Sequence, residues 1–217
     1  MVVSVAHDRL RRLTEYAVSD RAALDALLDE QWFGVLSTVS GGEPWAVPML
    51  YARDGDRILL HGSTGAGALR HVAAGAPAVF SVTALDALAV APTTFESSVN
   101  YRSATVRGRL TQLPKAEQEA ALEVFSERVL PGRNAEVRAS TRKELAASLA
   151  TALMITDGSW LMKAAGGWPA TPEEAEAEPD VWSGLVPVRS VLDAPIAAPW
   201  ASDLPVPASV RRLVEES

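Results

Sequence analysis

Ile58-Leu59-Leu60-His61-Gly62-Ser63-Thr64-Gly65-Ala66-Gly67-Ala68-Leu69-Arg70-His71-Val72 is the stretch that decides how the chain is read. Its opening residues follow the turn-forming Asp54-Gly55-Asp56 and read as the end of a strand, while its closing residues read as the start of a helix. In the bend between them Gly62, Gly65 and Gly67 let the backbone come close to a bound group, and Ser63 and Thr64 bring hydroxyls to it. The N–H groups that open a helix would face that group with positive dipole, which is how a protein holds a phosphate without a metal. A plain strand-to-helix turn with a capping hydroxyl has the same composition, so the bend alone leaves both readings open. Two stronger phosphate motifs fail. A nucleoside-triphosphate loop needs Lys and then Ser or Thr after its last glycine, where Ala68 and Leu69 stand, and a dinucleotide fingerprint counted from Gly65 meets Arg70 in place of its third glycine. An anion here would be held by Ser63, Thr64, the backbone and Arg70, and a single cation suits a monophosphate better than a triphosphate.

Upstream, Ser19 and Asp20 suit the cap of a helix to about Glu30 with Leu24, Leu27 and Leu28 on one stripe. Phe33 to Val39, the turn Ser40-Gly41-Gly42-Glu43, and Trp45 to Ala52 read as a hairpin, and Arg53-Asp54-Gly55-Asp56 joins it to Arg57–His61 as a three-stranded meander. Trp45, Val47, Met49 and Tyr51 share one face; Ala46, Pro48, Leu50 and Ala52 share the other. Pro48 marks an edge strand or a bulge, where the sheet stops pairing with itself and meets either water or a ligand.

Downstream, Ala78 to Val82 and Ala87 to Ala91 read as two strands, and Asn100 to Leu113 as the longest strand of all. Its alternation puts Tyr101, Ser103, Thr105, Arg107 and Arg109 opposite Ala104, Val106, Gly108 and Leu110. Pro114 opens a helix to Leu130, Thr141 and Glu144 form a capping box, and Thr151–Thr156 with Ser159–Lys163 reads as a last hairpin. The expected fold is mainly β with flanking helices: a six-stranded antiparallel split β-barrel. The expected organisation is an arm over residues 1–18, the barrel over 19–166, and an acidic loop followed by a Pro- and Trp-rich wrap over 167–217, part of the same domain. Five prolines from Pro187 to Pro207 prevent a regular helix over most of that tail, so Trp182 and Trp200 are expected to find burial against the body or a second subunit.

Composition narrows the chemistry. With 217 residues, 48% of them hydrophobic, the chain can bury a sizeable core. The absence of cysteine removes disulfides, thiolate metal sites and cysteine nucleophiles, and fits a reducing cytoplasm. A net charge of −7 argues against nucleic acid as a general partner. No apolar run reaches membrane-spanning length, and no signal peptide is evident. The three histidines show no metal-binding spacing and there is no Gly-x-Ser-x-Gly elbow, so the expectation is no metal and no nucleophile, with the catalytic residues unassigned.

Leu-His-Gly-Ser-Thr-Gly at 60–65, Asn-Tyr-Arg-Ser at 100–103 and Val-Trp-Ser-Gly-Leu-Val-Pro at 181–187, in that order, resemble the pyridoxamine 5′-phosphate oxidase-like FMN-binding proteins, in the branch that includes nitroimidazole-resistance proteins. The resemblance spans roughly Ser19 to Pro207. It implies a split-barrel homodimer with FMN in a cleft between subunits, acting as an oxidoreductase on a small molecule with a reduced carrier as electron donor. Carried onto this chain, it sets the flavin ring against Val47, Pro48 and Met49, the phosphate near His61, Ser63, Thr64 and Arg70, and Tyr101, Arg102 and Ser103 at the same cleft. Relatives commonly carry basic residues where Ala66, Gly67 and Ala68 stand, and a histidine pair where Glu96 and Ser97 stand, which leaves Arg70 or Arg102 to supply the cation. A deazaflavin, a haem or no cofactor in the same cleft, a binding protein without turnover, and an interaction module that has kept the barrel and lost the cleft are the alternatives for this fold.

Overall fold

The computed structural model describes residues 9–63, 65 and 67–215. Its elements run β1 (Ala17–Val18), α1 (Arg21–Glu30), β2 (Phe33–Ser40), β3 (Glu43–Leu50), β4 (Ala52–Asp54), β5 (Arg57–Ser63), α2 (Gly67–Ala73), β6 (Pro77–Val90), β7 (Ser98–Arg109) and β8 (Thr111–Gln112). There follow α3 (Lys115–Val129), α4 (Arg142–Ala147), β9 (Ser148–Met154), β10 (Trp160–Ala165), β11 (Gly184–Pro187) and α5 (Ala208–Glu215). All pairings between strands are antiparallel. A large sheet has the order β1-β10-β7-β6-β2-β3, with β11 pairing along residues 87–90 of β6, and a small sheet has the order β4-β5-β9-β8. The result is an antiparallel split barrel with flanking helices, whose two sheets stay open rather than closing on one another.

Local signals account for several elements directly. The Asp20 carboxylate accepts the Ala22 N–H at 3.0 Å to start α1, and its Leu24, Leu27 and Leu28 are fully buried. Gly41 and Gly42, with φ of 61° and 86°, make the two-residue turn between β2 and β3, a conformation that other residues resist at both positions. Thr141 and Glu144 exchange their capping bonds at the start of α4. As Pro48 indicated, β3 is an edge strand.

The expected meander is broken at Tyr51, where the chain leaves the large sheet and enters the small one. Tyr51 is buried at the crossing, its hydroxyl donates to the Leu28 carbonyl at 2.7 Å, and its ring meets Phe80 edge-on at 5.0 Å. That burial pushes the phenol pKa up. A second crossing falls at buried Leu110, which divides the expected long strand into β7 and β8. A third follows β9, where the Ile155 N–H donates to the Asp56 carbonyl at 2.8 Å; β9 and β10 therefore belong to different sheets and do not form the expected hairpin. Residues 78–91 are not two strands, because β6 runs unbroken for 14 residues and is the longest strand, with a bulge at Asp86. The strands among the described residues number eleven rather than six.

One core lies between the sheets, built on Leu24, Leu36, Ile58, Leu60, Phe80, Val106 and Leu153. A second joins the far face of the small sheet to α3 through Leu59, Phe125, Ala150 and Ala152. The small sheet is thus covered on both faces, whereas the outer face of the large sheet shows Phe33, Val35 and Val39 to solvent. The tail lies along β6 through β11, then runs without regular structure to α5, where Ser209 donates from its N–H (2.9 Å) and hydroxyl (2.6 Å) to Glu136. Trp182 and Trp200 do not find burial against this chain's own body: they are 66% and 88% exposed. Among the described residues no helix is long and apolar enough to cross a membrane.

Candidate functional site

At the end of β5 the bend opens as its glycines require. A Cβ on Gly62 would lie 2.8 Å from Leu69 Cδ2, so any larger residue there would make the Leu69 side chain of α2 shift. Ser63 Oγ accepts the Gly65 N–H at 3.1 Å, and His71 Nε2 donates to the Val39 carbonyl at 3.0 Å, which ties α2 to the end of β2. Arg70 is exposed on α2, and its side chain makes neither an ion pair nor a hydrogen bond among the described residues. Thr64 lies outside the described residues.

Arg102 is differently placed. Its Nη1 meets Glu30 Oε2 at 2.6 Å and its Nη2 meets Asp86 Oδ1 at 2.7 Å. The bulge at Asp86 interrupts the register of β6 beside this pair, and the neighbouring Val188 N–H donates to the Asp86 carbonyl at 2.9 Å. The hydrogen bond from Arg102 holds the Glu30 carboxyl below the usual carboxylate range, and the two carboxylates raise the arginine's own pKa further. Strand alternation then separates the Asn-Tyr-Arg-Ser residues: Tyr101 and Ser103 project to one face of β7 and Arg102 to the other. Lys163, paired with Ser103 across β10, sits 5.2 Å from the Tyr101 ring and 5.6 Å from the Tyr16 ring. In β3, Val47 and Met49 pack on the main core, and Pro48 stands opposite Val35 on the exposed face.

His61 occupies a third location. It faces away from the main core, with its ring edge-on to Phe125 of α3 (centroids 4.1 Å apart, planes at 87°). Burial lowers its pKa and keeps the imidazole neutral at neutral pH. It opens onto a half-open cavity of 490 Å³ lined by α3, the α3–α4 connection and α4, with apolar walls that include Leu122, Val129, Leu130 and Leu145 and with Glu119, Glu123, Arg133 and Arg138 at its rim. Among the described residues no three acidic or histidine side chains are grouped to hold a metal ion.

A sequence model of the pyridoxamine 5′-phosphate oxidase family matches residues 20–160, about two thirds of the chain. The chain belongs to the pyridoxamine 5′-phosphate oxidase family. Among solved structures, an FAD and haem binding protein from Mycobacterium smegmatis is 43% identical, covers 92% of this chain and 97% of its own, and superposes with a TM-score of 0.87. A flavocytochrome from Azotobacter vinelandii is 26% identical, with 94% of both chains covered and a TM-score of 0.85. A structure assigned to 5-nitroimidazole antibiotic resistance in Bacteroides thetaiotaomicron shares the fold at 13% identity and a TM-score of 0.58, over 68% of this chain and 86% of its own. No curated protein matches.

In this pyridoxamine 5′-phosphate oxidase-family chain with its flavin-binding fold, the residues singled out in the sequence are distributed over four places. Ser63 ends β5 and Arg70 lies on α2, on the two sides of the bend; Pro48, Tyr101 and Ser103 share the exposed sheet face; Arg102 is held between Glu30 and Asp86; His61 looks into the α3 cavity. The donor set suits a flavin, with a hydroxyl and an uncommitted guanidinium for phosphate, an edge strand for the polar rim of a ring, and apolar surface for its face. Lys163 and Tyr16 were not singled out from the sequence, although the alternation of β10 against β7 carried the signal for Lys163. The α3 cavity had no local signal, since its walls come from residues far apart in the chain.

Proposed function

We propose that this chain is a flavin-dependent oxidoreductase that works as a homodimer, with the flavin phosphate held at Ser63 and Arg70 and its ring against the β3 edge and the Tyr101–Ser103 face. The observation that carries the reading is the Arg70 side chain on α2, which follows the Ser63 bend and has no ion pair or hydrogen bond among the described residues, in a chain whose other candidate cation, Arg102, is already bound by two carboxylates. When bound, the flavin would supply hydride or electron transfer to a small molecule, and a reduced nicotinamide is the natural donor. The chain's own part is to grip the phosphate through Ser63 and Arg70, orient the ring through peptide groups of β3, and keep water off it with apolar side chains such as Val35. The homodimer reading rests on the exposed apolar outer face of the large sheet and on the exposed tryptophans of the tail. The cysteine-free chain suits a reducing cytoplasm.

Likeness to an FAD and haem binding protein supports FAD as the flavin, while the single cation at the bend favours FMN; chromatography of the flavin released on denaturation distinguishes them. The test of the function is the visible spectrum of freshly purified protein, followed by oxidation of reduced nicotinamide by the loaded protein. Flavin bands, nicotinamide oxidation faster than with free flavin, and an at least tenfold weaker flavin affinity in Arg70→Ala are the expected results. A colourless protein that leaves added flavin fluorescence unchanged overturns the proposal. The small residues Ala66, Gly67 and Ala68 favour a second reading, a flavin carrier without turnover; bound flavin with no oxidation above free flavin would select it.

A further inference from the structure

We propose that the Lys163 ammonium, held between the Tyr16 and Tyr101 rings on the outer face of the large sheet, is an anion site that takes a small aromatic carboxylate. The anion site stands on its own geometry; that its occupant is the substrate rests on the flavin reading, which sets the ring against this same face.

Three observations carry it. First, the ammonium is held in place and uncommitted. Its Nζ lies 5.2 Å from the Tyr101 ring centroid and 5.6 Å from that of Tyr16, and β1, whose Ala17 pairs with Lys163, keeps the second ring there. Among the described residues no carboxylate comes within ion-pair distance of it and no hydrogen bond engages it, although the chain carries more acidic than basic residues. Two aromatic faces orient an ammonium without neutralising it, so its charge remains for a ligand.

Second, the strand register builds a floor beside it. Pairing across β10, β7 and β6 puts Lys163, Ser103 and Thr83 in one row, and neither hydroxyl has a hydrogen-bond partner among the described residues. Both hydroxyls can donate to a carboxylate. Tyr101 and Leu85 stand in the row on one side and Leu161 in the row on the other. Rows on one face of a sheet recur about every 7 Å, so a planar ring can lie over the small side chains between these apolar walls.

Third, the charges fit one carboxylate. Arg107, two rows further along the same face of β7, gives its guanidinium to the Gly158 carbonyl at 3.2 Å, and Arg102 projects to the opposite face. A single ammonium with two hydroxyls matches a monoanion, whereas a phosphate dianion calls for a further cation. The row that holds Leu161 continues through Thr105, Ser81 and Val35 to Pro48 at the β3 edge, so a molecule gripped at Lys163 lies beside the row proposed for the flavin ring. The exposed Phe33 and Val39 of the proposed dimer face lie beyond it on β2.

The test titrates the purified chain with benzoate by calorimetry, with benzamide as its uncharged match and inorganic phosphate as a second anion. One equivalent of benzoate is expected to bind saturably, with benzamide and phosphate at least tenfold weaker. Lys163→Gln should lose at least tenfold in benzoate affinity while its flavin affinity and melting temperature stay those of wild type, and Lys163→Arg should recover most of the loss. Tyr16→Leu should weaken benzoate about threefold and Tyr16→Phe should not, an order that follows from the ring face rather than the hydroxyl. In flavin-loaded protein benzoate should shift the visible flavin bands, and Lys163→Gln should abolish the shift. The proposal is overturned if wild type binds no benzoate saturably, if phosphate binds more tightly than benzoate, if Lys163→Gln binds benzoate as wild type does, or if that variant loses flavin instead. Benzoate bound at Lys163 with the flavin bands unmoved overturns the substrate assignment. A protein that binds benzoate there and no flavin sinks the flavin reading and leaves the anion site standing.

Discussion

The two sheets of this barrel are finished to different degrees. The small sheet is sealed on one side by the main core and on the other by α3, and where that second cover gapes it leaves a cavity containing a histidine. The large sheet is sealed on one side only, and its open face carries Phe33 and Val39, each 60% exposed. A sheet covered by its own chain can build an enclosed pocket without help. A sheet left bare with apolar residues is complete only when something else lies on it, which is why dimerisation is proposed for the large sheet and a pocket belongs to the small one.

The largest test of that contrast uses the two faces of β5. Leu60→Ala removes a fully buried side chain from the main core and should lower unfolding free energy by about 2–5 kcal/mol in denaturant titration. His61→Ala, one residue along and facing the cavity, should cost less than about 1 kcal/mol, as expected for a partly exposed side chain without hydrogen bonds. Similar losses for both would erase the distinction between packed face and pocket face.

The open face is next. Phe33→Asp combined with Val35→Asp should weaken self-association on the order of a hundredfold in sedimentation or light scattering, while leaving the unfolding free energy of the monomer within about 0.5 kcal/mol. Unchanged association would move the interface elsewhere.

Arg102→Ala should destabilise by about 1 kcal/mol, because its pairs with Glu30 and Asp86 are partly solvent-exposed and the two carboxylates are left facing each other. Its effect on flavin affinity should be smaller than that of Arg70→Ala, measured by fluorescence titration. The reverse order would mean that the ion pairs open to admit the cofactor.

The smallest effect is expected where the tail returns to the body. The Ser209 hydroxyl and N–H, with Arg133, depress the Glu136 pKa to about 2. A carboxylate with a lowered folded-state pKa stabilises fully above its unfolded value, about 4.3, and loses that contribution as pH falls through the folded value. The gap in denaturation midpoint between wild type and Glu136→Gln should therefore be constant above about pH 5 and shrink toward pH 2. A gap that grows on acidification contradicts this account.

What could be read from the sequence was whatever depends on neighbours in the chain. Asp20 caps α1, Gly41-Gly42 turns the first hairpin, Thr141 and Glu144 cap α4, and Pro48 marks an edge strand, each within a few residues of its effect. The crossings at Tyr51, Leu110 and Ile155 were not legible, because an alternating apolar pattern says which side is buried and not which sheet buries it. The bulge at Asp86 was hidden for a related reason: the stretch around it has no Gly or Pro, and its partner Arg102 lies on another strand. At the site, the small-residue bend and Arg70 came from local pattern. The commitment of Arg102 to Glu30, 72 residues away, and the enclosure of His61 by α3 came only from tertiary packing.

The three crossings have a consequence for how the molecule is made. Strand β5 waits for β9 across the register Arg57↔Met154, and β7 waits for β10 across Val106↔Trp160, so neither sheet can be completed from the first half of the polypeptide. On the ribosome the early strands would emerge with raw edges and acquire their neighbours only after residue 165 had cleared the exit tunnel. Protease challenge of stalled nascent chains should show protection arriving late and in a single step.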